Sequence, residues 1–233
     1  MVVGERRLDG TFVSDLPDVR LSDIRGDDET YSGMSLWKRM LLSYSDMRAA
    51  TRQLIGENPS EARLLFFVLM SDVIFFLNRG VSLVISPGSG ASEKLPLEIG
   101  VWLVGALFLR TLTLYLFSGA VAFVCRMFGG QGSWRDTRTG VFWASQVAAP
   151  IGVLGALVVA AFAHLEPYAP ILAEPVVTLP AHLIGMVFFV FFVSASVAEA
   201  HRFRNTSPVF IAFSCLTVLL LVLGIYVYAN FGR

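Results

Sequence analysis

The stretch PVFIAFSCLTVLLLVLGIYVYA, residues 208–229, decides the fold class, because no charged residue interrupts it. About 20 consecutive apolar residues make a helix long enough to cross the hydrocarbon core of a bilayer. Comparable apolar runs occupy residues 59–86, 97–128, 139–164 and 180–200. The sequence therefore predicts an all-α membrane protein with five transmembrane helices, in direct contact with the lipid bilayer.

The composition agrees with this prediction. Hydrophobic residues make up 55% of the 233 residues and charged residues 15%, whereas soluble domains carry about 25% charge. These values exclude soluble enzymes, disordered chains and fibrous proteins. The 18 basic and 18 acidic residues cancel, so no net field favours a nucleic-acid partner. Two cysteines are too few for a disulfide framework, and the N-terminus lacks the apolar region of a signal peptide.

Two different segments precede the first predicted span. Residues 1–34 hold eight acidic residues against four arginines, which predicts a flexible acidic tail or, alternatively, an arm that docks a partner. Residues 35–57 place apolar side chains three and four positions apart, while Lys38 and Arg39 fall outside that stripe. This pattern predicts an amphipathic helix in the lipid interface, and packing beneath the spans is the other use of the same stripe.

The basic residues predict the orientation in the membrane. Fourteen lysines and arginines fall in segments on the side of the N-terminus, and two, Lys94 and Arg233, on the opposite side. Cytoplasmic loops carry the excess of basic residues. We therefore expect a cytoplasmic N-terminus and a C-terminus on the other side.

Ionisable and amide side chains at membrane depth are costly and mark candidate sites. Asp72, Asn78 and Arg79 lie on the first predicted span and Arg110 on the second. Three interpretations remain open: an ion pair between helices, a polar cavity for an anionic lipid or substrate, and a contact with another subunit. We expect Asp72 to be ionised and paired with Arg79 or Arg110.

The third predicted span contains Gln146 and a helix-interrupting Pro150, followed by Gly152 and Gly155. Such residues allow close helix packing around a kink, or form the broken helix of a transport site. No inverted internal repeat accompanies them. His164, Glu166 and His182 lack the spacing of a metal motif, and no catalytic or cofactor motif is present. We expect no metal, no cofactor and no enzymatic activity.

The loop after the second predicted span carries a short motif: Gly129, Gly130, Gln131, Gly132, Ser133 and Trp134. Its glycines can end one helix, and Ser133 can cap the next. The motif resembles the signature of the Yip (Ypt/Rab-interacting protein) family, and Pro150 and the five-span plan resemble that family too. Residues 15–18, DLPD, do not match the DLYGP motif of eukaryotic members, so Rab binding is not carried over.

The resemblance implies an integral protein of the bacterial inner membrane without an agreed activity, and it supplies no catalytic residues. The expected function is a scaffold or accessory subunit that organises another integral membrane protein or complex. The alternative is a transporter or channel for a small solute or lipid, using the polar groups of the first three spans. A membrane enzyme ranks third, because no carboxylates, histidines or cysteines cluster at one depth.

Overall fold

The computed structural model describes residues 35–85 and 91–231, in which helices alternate with loops and no strand occurs. In chain order the helices are α1 (Leu36–Ser45), α2 (Met47–Gly56), α3 (Glu61–Ile85), α4 (Ala91–Val104), α5 (Thr111–Met127), α6 (Trp134–Leu165), α7 (Pro175–Ala200) and α8 (Ser207–Phe231). A π-helical segment, Gly105–Arg110, joins α4 to α5, and a 3-10 turn, Pro170–Ala173, precedes α7. The acidic segment, residues 1–34, lies outside the described residues.

The chain divides into two units, Met1–Leu41 and Leu42–Arg233. The described part of the first unit is residues 35–41, which form the first turns of α1. The second unit contains the rest of α1 and the helices from α2 to α8. The contacts that the helices α2 to α8 make with one another lie within this second unit.

Four helices are long and apolar enough to cross a membrane among the described residues: Ile99–Met127, Trp134–Leu165, Val176–Ala200 and Ser207–Asn230. They match the last four apolar runs of the sequence, so the chain is an integral membrane protein. The helix after the glycine motif extends further than predicted, because α6 begins at Trp134 rather than near residue 139.

The segment before α3 forms two helices instead of the single helix predicted over residues 35–57. Asp46 divides them: its backbone is extended, and its carboxylate accepts a hydrogen bond of 2.9 Å from the Ala49 amide, which caps α2. The apolar side of α2 is buried at Met47, Thr51 and Leu54 and packs mainly on α7. This stripe therefore contacts protein, the second of its two possible uses.

The central helix of the bundle is α6, which packs along α7 over most of its length and also contacts α3 and α5. Small residues allow the close approach of α6 and α7, because a Cβ atom on Gly155 would lie 2.6 Å from the Ala181 carbonyl oxygen. The helix α8 packs on α7 at the edge, and no side chain is buried over residues 207–230, the part of α8 whose side chains are described. Its apolar surface is suited to lipid.

Candidate functional site

The first candidate site is a polar cluster formed by Ser71, Asp72, Arg110, Thr111 and Ser145. Asp72 is fully buried, and Arg110 donates a hydrogen bond through Nη1 to its Oδ1 atom. Thr111 donates to the other carboxylate oxygen. The cluster joins α3, the start of α5 and α6 within the apolar part of the bundle.

The serines of the cluster accept two further hydrogen bonds from the guanidinium group. Arg110 donates through Nη1 to the Ser71 hydroxyl and through Nη2 to the Ser145 hydroxyl, at 2.9 Å in both cases. The two serine hydroxyls also lie 3.1 Å apart. One acidic group thus faces one basic group, and hydroxyl groups add hydrogen bonds to both, which lowers the cost of burying these charges.

The position of Arg110 follows from the local backbone. Arg110 is the last residue of the π-helical segment, where one extra residue in the turn changes the face that the following side chains present. The guanidinium also lies 5.2 Å from the centroid of the Phe75 ring, a cation–π distance. Its side chain keeps 23% exposure.

The other intramembrane candidates lie on α3 and α6, the helices that carry Asp72 and Ser145. The Arg79 side chain lies outside the described part of α3. Asn78 is half-buried on α3, and Gln146 is buried on α6, one residue after Ser145. Pro150 lies within the continuous helix α6. Sequence reasoning missed Ser71, Thr111 and Ser145; the adjacency of Ser71 to Asp72 and of Thr111 to Arg110 was the available signal.

The second candidate site is the glycine motif between α5 and α6. Gly129 has φ +82°, a conformation that favours glycine. The amide of Gly130 donates to the Cys125 carbonyl at 2.8 Å, and the amide of Gly129 to the Arg126 carbonyl at 3.1 Å, which ends α5 in a Schellman motif. Ser133 and Asp136 then form a capping box at the start of α6.

The same motif packs around His201, the residue that follows α7. A Cβ atom on Gly132 would lie 2.4 Å from the Ala200 carbonyl oxygen, and one on Gly130 would lie 2.6 Å from Nδ1 of His201. The Gln131 amide donates to the His201 carbonyl at 3.2 Å. Two glycines of the motif are therefore required by close packing, and the loop is fixed to the end of α7.

The surroundings of the His201 ring favour its neutral form. Burial lowers the pKa of His201, the positive charge of Arg126 lowers it further, and Asp136 opposes the shift. Nε2 lies 2.8 Å from the Thr137 hydroxyl, which itself donates to the Ser133 carbonyl. When the Thr137 hydroxyl donates to the Ser133 carbonyl, it accepts a hydrogen bond from Nε2, and this arrangement favours the tautomer with the imidazole proton on Nε2.

Trp134, the last residue of the motif, packs on α5. Its ring occupies the space beside Gly119, where a Cβ atom would lie 2.7 Å from the ring carbons. The indole remains 47% exposed, and the Gln131 side chain is exposed as well. The motif thus joins α5, α6 and α7 at one end of the bundle. This end also carries Arg126, Arg135, Arg202 and Arg204, and we name it the basic end.

An ion-pair cluster links α2 to this basic end. Arg48 donates through Nε to Glu199 at 2.9 Å, through Nη2 to the Phe203 carbonyl at 2.8 Å and through Nη1 to the Arg204 carbonyl at 3.2 Å. Arg52 also pairs with Glu199. Sequence reasoning missed this cluster, because no motif relates residues about 150 positions apart.

No cluster of three histidine, cysteine, aspartate or glutamate side chains suited to a metal occurs in the described part of the chain. The polar groups instead connect helices: the first cluster at membrane depth and the others at the basic end. This arrangement can fix helix register and hold the loops.

Comparison with known proteins confirms the resemblance carried by the glycine motif. No curated protein and no solved structure matches the chain. The Yip1 domain matches residues 41–227, which include the polar cluster, the glycine motif and α2 to α7. Because this match covers most of the sequence, the chain belongs to the Yip1 domain family of membrane proteins.

Proposed function

We propose that this protein is a non-enzymatic membrane scaffold or accessory subunit that organises another integral membrane protein. The observation that carries the proposal is the polar cluster around Asp72 and Arg110. Both carboxylate oxygens and both terminal guanidinium nitrogens bond to neighbouring helices. A cluster used in this way supports helix association better than substrate turnover.

The proposal includes α3 as a first span, which makes five in total. α3 has 25 residues, a length of about 37 Å at 1.5 Å per residue, and the hydrocarbon core is about 30 Å thick. Pairing of Asp72 with Arg110 lowers the cost of placing each charge at that depth. The basic end then faces the cytoplasm of a bacterial inner membrane, as the positive-inside rule expects.

Cysteine labelling in intact cells tests this topology. In a background with Cys125→Ala and Cys215→Ala, single cysteines replace Ser89 and Ser133. A membrane-impermeant maleimide should label the Ser89→Cys protein in intact cells and the Ser133→Cys protein after permeabilisation. Labelling of the Ser133→Cys protein alone in intact cells would contradict the proposed orientation.

Photo-crosslinking tests the scaffold role. A benzophenone amino acid replaces Leu220 on the edge helix α8, and a matched control replaces Leu154 on α6, which is similarly exposed, at 60% against 57%. We expect irradiation of native membranes to join a defined membrane protein at Leu220 and not at Leu154. Lipid adducts alone at both positions, together with a monodisperse purified protein, would contradict a subunit role.

Reconstitution into liposomes separates this role from the alternative, a transporter or channel. We expect no protein-dependent flux of solute or lipid. Flux that disappears on Asp72→Ala and survives Thr113→Val would favour transport, since Thr113 bonds only within its own helix in the described contacts.

A further inference from the structure

An apolar groove of about 780 Å³ separates α5 from α8 at the basic end. Side chains from both helices line its walls, including Phe117, Ala120, Val124, Val209, Ala212 and Leu216. Both walls belong to candidate membrane spans. The volume falls in the range of about 300–1,000 Å³ that is typical of small-molecule sites.

The length of the groove matches one leaflet of a bilayer. Along α5 it extends from Phe117 to Phe128, which is about 16 Å at 1.5 Å per residue. Half of a hydrocarbon core is about 15 Å. Near the deep end, one turn before Leu216, the rings of Phe117 and Phe213 contact each other with centroids 5.9 Å apart and join the two walls. The groove is therefore a slot that ends near the middle of the bilayer.

The outer end of the groove is polar and basic. Arg204 and Asn205 line it, and no carboxylate is among the lining residues. The Arg204 side chain is exposed, while Arg48 donates to the carbonyl groups of Phe203 and Arg204 and holds this loop in place. The start of α8, at Ser207, adds the partial positive charge of a helix N-terminus.

We propose that this groove binds one anionic glycerophospholipid of the adjacent leaflet. One of its two acyl chains lies between α5 and α8, and its phosphate contacts Arg204. The apolar walls, the one-leaflet length and the basic outer end each match one part of such a lipid. A partner helix, about 10–12 Å in diameter, does not pass between walls that Phe117 and Phe213 join. The lipid site is independent of the scaffold role.

Native mass spectrometry of the purified full-length protein tests the site. The protein is titrated in mild detergent with dioleoylphosphatidylglycerol or with dioleoylphosphatidylcholine. We expect one bound lipid per chain and at least about fivefold tighter binding of the anionic lipid, the factor that one basic residue near an anionic lipid is worth. Arg204→Gln should remove this preference, and Arg204→Lys should restore most of it.

Matched variants isolate the two parts of the site. Arg202→Gln changes a neighbouring exposed arginine outside the lining and should leave lipid preference unchanged. Ala212→Trp should fill the groove and abolish binding of both lipids, whereas Leu219→Trp, on the same helix outside the groove, should not. Far-UV circular dichroism verifies that each variant is folded.

Three outcomes would overturn the proposal. One is equal affinity for the two lipids in the wild type. Another is an equal loss of preference in Arg202→Gln and Arg204→Gln. The third is a dimer that Ala212→Trp dissociates, since the groove would then be an interface between two copies of the chain.

Discussion

The polar cluster makes a quantitative prediction for two substitutions, Asp72→Ala and Arg110→Met. Asp72→Ala leaves the Arg110 guanidinium with the hydroxyls of Ser71 and Ser145 and with 23% exposure of its side chain. Breaking a buried ion pair costs about 3–5 kcal/mol. Because Arg110 keeps these partners, Asp72→Ala should lower the free energy of unfolding by about 3 kcal/mol. Arg110→Met should cost nearer about 5 kcal/mol, because Asp72 is fully buried and keeps only Thr111 among these partners.

The double variant should be far less destabilised than the two single effects together. Replacing both members of a buried pair by apolar residues leaves no uncompensated charge. We therefore expect a total cost of at most about 4 kcal/mol, which corresponds to a coupling energy of at least about 4 kcal/mol. Unfolding in mixed detergent–lipid micelles, followed by far-UV circular dichroism, measures all four proteins.

Two threonines of α5 provide a matched control. Thr111→Val removes a hydrogen bond to Asp72 and should cost about 1 kcal/mol. Thr113→Val removes a bond to the Leu109 carbonyl of its own helix and should cost less. If the effects of Asp72→Ala and Arg110→Met add within about 0.5 kcal/mol, the two side chains are not coupled and the reasoning is refuted.

Three further predictions concern the loops at the basic end. Gly132→Ala should lower the free energy of unfolding by about 1–3 kcal/mol, because its Cβ atom meets the Ala200 carbonyl oxygen; Gly224→Ala, with open space around it in α8, should be neutral or stabilising in the same thermal unfolding assay. Arg202 has φ +58°, so Arg202→Gly should raise the melting temperature by relieving about 1 kcal/mol of backbone strain, and an unchanged or lower value would argue against that strain. Burial lowers the pKa of His201, so the unfolded chain binds the proton more tightly, and the free energy of unfolding should fall as the pH drops below about 6.5. His201→Gln should weaken this dependence between pH 7.5 and pH 5.5, and an identical slope in both proteins would show that another group is responsible.

The sequence predicted the positions of helices wherever a long run of apolar residues marked them. Runs of about 20 apolar residues predicted α5 to α8, because a bilayer leaves few other structures for such segments. Helix boundaries and contacts were harder to predict in the polar segment before α3. The break at Asp46 depends on one capping hydrogen bond. The apolar stripe of α2 has the same sequence pattern whether lipid or protein covers it.

In the polar cluster, too, the sequence indicated some residues and not others. Asp72 and Arg110 stood out because charge is expensive at membrane depth. Their serine and threonine partners did not stand out, since hydroxyl groups are common in apolar helices and three separate segments contribute them. The glycine motif was visible as a motif, but its packing against His201 depends on residues about 70 positions away.

The sequence by itself determined that this is a helical membrane protein of the Yip1 domain family, because hydropathy and a local motif are properties of short segments. The tertiary structure alone decided that Arg110 faces Asp72, that Arg48 and Arg52 bind Glu199, and that α8 stands apart from α5 to leave a groove. Each of these depends on how helices distant in the sequence rotate and pack against one another, and helical periodicity does not encode which neighbour a given face will meet.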